Sequence, residues 1–521
     1  MKNNNLHSQK IIILVSMLVI LMMTILLYTH FSNLNPQNEV NSDNFSHILV
    51  PADENPGIAY DIKSFSKDNT LILFIPCRAD ITHLVFYAVN HDGEKINRFE
   101  HNFAEGITNI LDYNIICMQS NLPSLEVSIN DRFGQFKQVN EDPKHETKAY
   151  GDLTLTATDY DADTYGFDTI FESHESSSKS HCTMSIKGRG QSSWGNDKKP
   201  YLINLEESVS LLNMPKGKKW VLLANTVDHS LLRNEVLFNL AKDLGIEFVP
   251  GIQNIDLFVD GEYLGCYSLC SKIEIMKNRV NINKAEDYFY RWGIASGEYR
   301  ELDKTPMWSE DNFVELVNPK SESFNAEAFE LAQSTINAIA SNDFKQIDAA
   351  INVDSYIKYF WLSEISKNTD ATIRSVYSYY DSDTEKMIMA APWDLDRTIG
   401  TVEPFGKEVD YLLPTGWCCY SDKWLGMLLA NEEFNELAMS SYKEYVQAAY
   451  QKCLDELDGR IARITASATM NFTRWDHLER PLESYSNKIA YYMGDSSYAS
   501  EIGWLKEWLR QRKEWMDGEI G

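Results

Sequence analysis

A chain of 521 residues is long enough for roughly two to four domains, and its 44% hydrophobic and 12% aromatic content supplies folded cores rather than a disordered tail. A formal net charge of −28 and a pI near 4.8 exclude a sequence-independent grip on nucleic acid, which needs a basic surface. Acidity of this size is a solubility feature of an exposed domain and points to no reaction.

Residues 1–10 read as a short cytoplasmic tail. Residues 11–28 are apolar except for Ser16 and Thr24, with Lys2 and Lys10 ahead of them. That pattern predicts one membrane-spanning helix, its N-terminus cytoplasmic and the main body extracytoplasmic. A cleaved signal peptide competes, but its apolar core is usually shorter and ends in small residues, whereas this run ends Leu-Leu-Tyr-Thr-His. Disulfides are allowed in that compartment. The eight cysteines (Cys77, Cys117, Cys182, Cys266, Cys270, Cys418, Cys419, Cys453) nevertheless form no C-x-x-C pair and no zinc spacing, and receive no role.

Residues 29–56 are polar and read as a linker. Over residues 57–140 short apolar or alternating runs are punctuated by turn signals such as His91-Asp92-Gly93, predicting a small all-β, sandwich-like domain that serves as a spacer or adhesion module. A charged stretch up to residue 149 marks a boundary. Strands at 153–157 and 182–186 then flank a polar loop with a serine run at 176–180. Residues 187–207, KGRGQSSWGNDKKPYLINLEE, hold Arg189, Gly190, Ser192 and Ser193 in a glycine loop, and Lys198 and Lys199 lead into the next strand. Such a loop is either a phosphate cradle or an ordinary basic turn.

After a buried-type strand at 220–224, Asp228-His229-Ser230 caps a helix whose apolar residues recur at helical spacing to about Leu244, with Arg233 and Asn234 at its start. Residues 252–259 and 263–269 flank Asp260-Gly261 as a hairpin. Amphipathic helices at 326–340 and 351–366 follow, the second delivering Asp370. Helical spacing at 425–451, 454–468 and 484–492 predicts a C-terminal bundle, closed by Trp504, Trp508 and Trp515 as core.

Residues 368–400 carry the strongest chemistry. Two strand-like runs, 376–380 and 387–391, flank a polar turn, with Asp370 just before the first and Asp394 and Asp396 just after the second. A β-hairpin brings its open ends together, so these distant acids should meet. Kinases place a catalytic-loop Asp, a ligand five residues later, a hairpin and a metal-binding Asp in that order; here Ser375 follows Asp370 by five. Carboxylates suit Mg²⁺. The same acids could equally cap turns and face water.

The blocks RGQSSW with the following Lys-Lys-Pro-Tyr, KWVLLANTVDHSLLRN, DGEYLGCYSL, KNRVNI and the segment from Asp370 through PWDLDRTIG occur in that order across residues 150–470. Together they resemble the spore-coat protein H (CotH) kinase family of atypical, secreted or surface-associated protein kinases. The resemblance implies an α+β architecture, with an atypical protein-kinase-like domain over 150–470 and a helical tail over 471–521 packed on it. It also implies ATP-dependent phosphoryl transfer to serine with Mg²⁺ or Mn²⁺, acting on surface or spore-envelope proteins. By position it implies Asp370 as the catalytic acid, Asp394, Asp396 and Ser375 at the metal, and Arg189, Gly190, Ser192, Ser193, Lys198, Lys199, Arg233 and Asn234 at the nucleotide. Ser271 stands where the family often has glutamate, so Glu274 is the substitute at the nucleotide, and Ser375 replaces an asparagine. A non-catalytic surface scaffold is the alternative. A carbohydrate-active enzyme would also use acid pairs outside the cell, but leaves the lysine-bearing glycine loop unexplained.

Overall fold

The computed structural model describes residues 45–110, 113–130, 135–158, 181–190, 192–293, 299–301, 313–319, 325–401, 412–420, 423–476 and 497–521. The expected membrane helix at 11–28, the serine run at 176–180 and the helix at 484–492 lie outside them. Among the described residues no helix is long and apolar enough to cross a membrane.

The architecture is mixed α+β. The first eight strands are β1 (Phe45–Val50), β2 (Ile62–Lys63), β3 (Phe65–Lys67), β4 (Thr70–Ile75), β5 (Leu84–Asn90), β6 (Lys95–His101), β7 (Thr108–Ile110) and β8 (Tyr113–Gln119). They form two four-stranded sheets, ordered β2-β1-β5-β6 and β3-β4-β8-β7, over a core that includes Ile48, Leu73, Phe74 and Phe86. The linker expected at 29–56 therefore ends earlier: β1 is built from it, because Ile48 and Val50 have a hydrophobic face to fill and are fully buried.

The next segment departs from the expected boundaries at 140 and 150 as well. Strand β9 (Ser124–Ile129) leaves the sandwich and joins β10 (Lys148–Thr156), β11 (His181–Gly188), β12 (Tyr201–Val209), β13 (Gly217–Leu223), β14 (Ile252–Val259) and β15 (Glu262–Ser271) in a closed barrel. Helix α1 (Gln135–Glu141) packs between β9 and β10 in sequence. Closure needs β9 on both sides, antiparallel to β10 and parallel to β14, so no edge is left unpaired. Helix α2 (Arg233–Asp243) connects β13 to β14.

A five-stranded sheet follows, ordered β17-β18-β16-β19-β20, from β16 (Tyr288–Trp292), β17 (Tyr299–Glu301), β18 (Phe313–Asn318), β19 (Val376–Asp381) and β20 (Lys386–Ala390). Helices α3 (Ala326–Ala340), α4 (Phe344–Ala350) and α5 (Val353–Ser366) lie between β18 and β19. The C-terminal region holds α6 (Lys423–Ala430), α7 (Glu432–Ser441), α8 (Gln447–Arg474) and α9 (Tyr498–Ile520). The expected break between 451 and 454 is absent: α8 runs straight through Cys453, which is 6% exposed within the largest core. No disulfide joins any of the described cysteines.

Candidate functional site

The expected hairpin forms, with Tyr377 paired to Ala390 and Asp381 to Lys386. Helix α5 ends at Lys367 in the left-handed conformation, φ 50°, where the chain turns sharply. Asn368 then accepts from the Asp370 amide at 3.0 Å, and the Asp370 carbonyl accepts from the amides of Ile373 and Arg374, each at 3.0 Å. Tyr359 on α5 donates to the Ala371 carbonyl at 2.7 Å. Asp370 thus stands on a turn held on both sides.

At the other end of the hairpin, Asp394 is exposed and accepts from Ser375 Oγ at 2.9 Å. The two meeting residues both have positive φ, 54° and 63°, a conformation uncommon for side-chain-bearing residues and frequent at functional turns. Burial raises the pKa of Asp370; Arg374 pulls it down, and Asp394 pushes it up again. Asp396, partly open to solvent, has its carboxyl crowded by protein, and burial, Asp394 and Asp228 push it up to about 7. Like charges that share a site resist joint ionisation, and a cation would relieve them.

The loop carrying these acids is braced from α2. Asn234 accepts from the Leu395 amide at 3.1 Å, between the two acids. Arg233, expected at the nucleotide, is fully buried. Its guanidinium donates to Asp228 at 2.6 Å and Glu501 at 2.7 Å, and to the carbonyls of Thr398 and Ile399. Asp228 also accepts from the amide of Arg233, the first residue of α2, at 2.8 Å. Gly400, φ +76°, closes the loop where a Cβ would meet Trp504 of α9 at 2.9 Å.

The glycine loop contributes differently from expectation. Gly190 has φ +88°, and a Cβ there would lie 2.3 Å from Ser193 Oγ, so the loop is tight as well as left-handed. Ser193 is half-buried in the turn Ser192–Gly195, and the Ser192 side chain lies outside the described residues. Arg189 lies over the ring of Trp393, the residue before Asp394, 5.7 Å from its centroid. The lysines are not placed so. Lys198 is 1% exposed, donates to the Cys266 carbonyl and, at 2.8 Å, to Asn471, and lies 4.5 Å from the Tyr267 centroid. Burial lowers its pKa to about 8. Lys199 caps the carbonyls of Trp194 and Asn196 at 2.9 and 3.1 Å. Both ammonium groups are committed to protein oxygens. Glu274 is likewise taken up, by Lys219 at 2.8 Å and Arg279 at 3.1 Å. A cavity of about 440 Å³ is lined by Lys199, Tyr201, Tyr267, Arg474 and Trp475 among others, but not by Asp370, Asp394 or Asp396.

Missed at the sequence level were Arg374 and Arg397, whose charges act on Asp370, and the brace formed by Asp228 and Glu501. The arginines carried a signal, each lying within five residues of a candidate acid. Glu501 carried none.

Oxygen donors from Asp394, Ser375 and Asp370 suit a hard divalent cation. Among the described residues no three His, Cys, Asp or Glu side chains converge to hold a metal unaided. Magnesium bound by one or two carboxylates and completed by phosphate and water does not need them, so the residues present fit that ion. The family model of the CotH kinase protein matches residues 186–516, which takes in α9 beyond the expected limit at 470. A search of curated proteins finds no match.

Proposed function

The chain belongs to the CotH kinase family, and from that premise we propose that it is a membrane-anchored protein kinase with an atypical kinase-like fold. In this reading it transfers the ATP γ-phosphate to serine hydroxyls of surface or spore-envelope proteins, itself included, with Mg²⁺ or Mn²⁺. Residues 11–28 serve as the anchor and leave the body extracytoplasmic. One observation carries the proposal: Asp394 bonds Ser375 and its charge reaches Asp370, at the open end of a single hairpin.

Phosphoryl transfer asks a protein for positioning and charge compensation more than for covalent chemistry. Asp370 orients the serine hydroxyl and takes its proton, and its raised proton affinity suits a base. The serine oxygen bonds to the γ-phosphorus while the bond from that phosphorus to the β–γ bridging oxygen breaks. Asp394, with Ser375 and Asp396 beside it, would hold the divalent ion, which when bound offsets phosphate charge. Asn234 and Arg233 fix the loop in advance, so little reorganisation is left for the reaction.

A second reading, a catalytically weak surface scaffold, is favoured by the commitment of Lys198, Lys199 and Glu274 to other partners. Incubation of the detergent-solubilised chain with γ-labelled ATP and Mg²⁺, beside Asp370→Ala and Asp394→Ala, separates the two. Label incorporated by the wild type and reduced about a hundredfold or more by either substitution supports the kinase, since each ~1.4 kcal/mol of transition-state stabilisation is tenfold in rate. Incorporation indifferent to both removes this mechanism, and nucleotide binding without transfer supports the scaffold.

A further inference from the structure

With both lysines bound to protein oxygens, another cation must face any phosphate held beside the acids. Arg189 lies 5.7 Å from the centroid of Trp393, the residue before Asp394. Arg374 precedes Ser375, with its amide on the Asp370 carbonyl at 3.0 Å and its side chain exposed. Arg397 follows Asp396 and is partly exposed. Among the described residues none of these three guanidiniums has an ion pair or a side-chain hydrogen bond. Elsewhere Arg98, Arg233, Arg279, Arg460, Arg510 and Arg512 each pair with a carboxylate. In a chain with 76 acidic and 48 basic residues, carboxylate partners are plentiful, so three guanidiniums without one among the described residues, two of them next to the acids in sequence, are open to an anion from outside.

We propose that Arg189, Arg374 and Arg397 bind the phosphates beside the Asp370–Asp394 hairpin end and take over the charge compensation assigned to Lys198 and Lys199; the inference rests on the phosphotransferase reading above. A guanidinium presents a planar fork that matches two phosphate oxygens and stays charged at any physiological pH. The Asp370 and Asp394 carboxylates and a triphosphate together carry more negative charge than one divalent ion offsets, and the arginines supply the remainder.

The test is calorimetric binding of the non-hydrolysable nucleotide Mg-AMP-PNP to the detergent-solubilised full chain. Arg189→Gln, Arg374→Gln and Arg397→Gln should each weaken binding about tenfold or more, the size of one lost charge-assisted hydrogen bond. Each should also flatten the loss of affinity with added salt. Lys199→Met should change the affinity by less than about twofold. Arginine variants that bind like wild type, with affinity lost in Lys199→Met, overturn the inference and leave the kinase reading standing. A wild-type chain that binds no Mg-nucleotide overturns both. Should Arg189→Gln or Arg397→Gln lower the Tm, Arg374→Gln, on an exposed side chain, decides the matter alone.

Discussion

Arg233 and Ser375 show how differently two residues of one site are held. Arg233 sits in an interior with two carboxylates and two carbonyls around it, and every polar partner it serves is itself buried or part of the acid loop. Its replacement by Met leaves Asp228 and Glu501 as uncompensated buried charges. The expected loss is about 3–5 kcal/mol of stability in urea unfolding; a variant as stable as wild type would mean that the brace is not what holds the loop. The Ser375 hydroxyl instead meets Asp394 near solvent. Ser375→Ala should cost less than about 1 kcal/mol of stability, as one exposed hydrogen bond does. In the kinase reading it should raise the Mg²⁺ concentration needed for half-maximal transfer, measured by metal titration of label incorporation. An unchanged requirement would remove Ser375 from the metal.

At the scale of elements, local chemistry was read well. The hairpin of β19 and β20 was legible because β-branched and aromatic runs on either side of a polar turn can satisfy their backbone in few other ways. Helix α2 was legible from its apolar spacing, which operates within a few residues, but not from the expected cap at Asp228-His229-Ser230: the helix starts at Arg233, with Leu232 at its N-cap. The destination of a long side chain was not legible. Lysine carries its charge on a flexible stem of four carbons, and Lys198 and Lys199 went to carbonyls on β15 and in the adjoining turn. Nor could spacing show that α8 continues as one helix, since its apolar stripe is defined by the neighbours it packs against.

The whole molecule adds a seam that no motif announced. Glu126 on β9 accepts from the Ala59 amide of the sandwich at 3.0 Å, while its other carboxyl oxygen is buried without a partner. Burial pushes its pKa up to about 7, against hydrogen bonds from Ala59 and Tyr60 that lower it. A folded-state pKa above the unfolded value means that the protonated form is the favoured one in the fold. The contribution is therefore complete below about pH 4.5, the ordinary carboxyl value, and lost as pH rises through about 7. Glu126→Gln keeps the acceptor for Ala59 and removes the ionisation. It should be more stable than wild type above pH 8 by on the order of 3 kcal/mol, an upper figure, with the difference shrinking as pH falls. Equal pH profiles of Tm for the two proteins would show that Glu126 ionises freely.

The order of the acids along the chain, the hairpin that reunites them and the family to which they point were all present in the sequence, because each depends on contacts between near neighbours or on motifs that recur intact. Which cations face those acids was decided only by the tertiary structure. Arg233 pairs with a glutamate 268 positions away, and Lys198 with an asparagine 273 positions away. A buried charge accepts whichever partner the fold delivers, and no local pattern encodes that delivery.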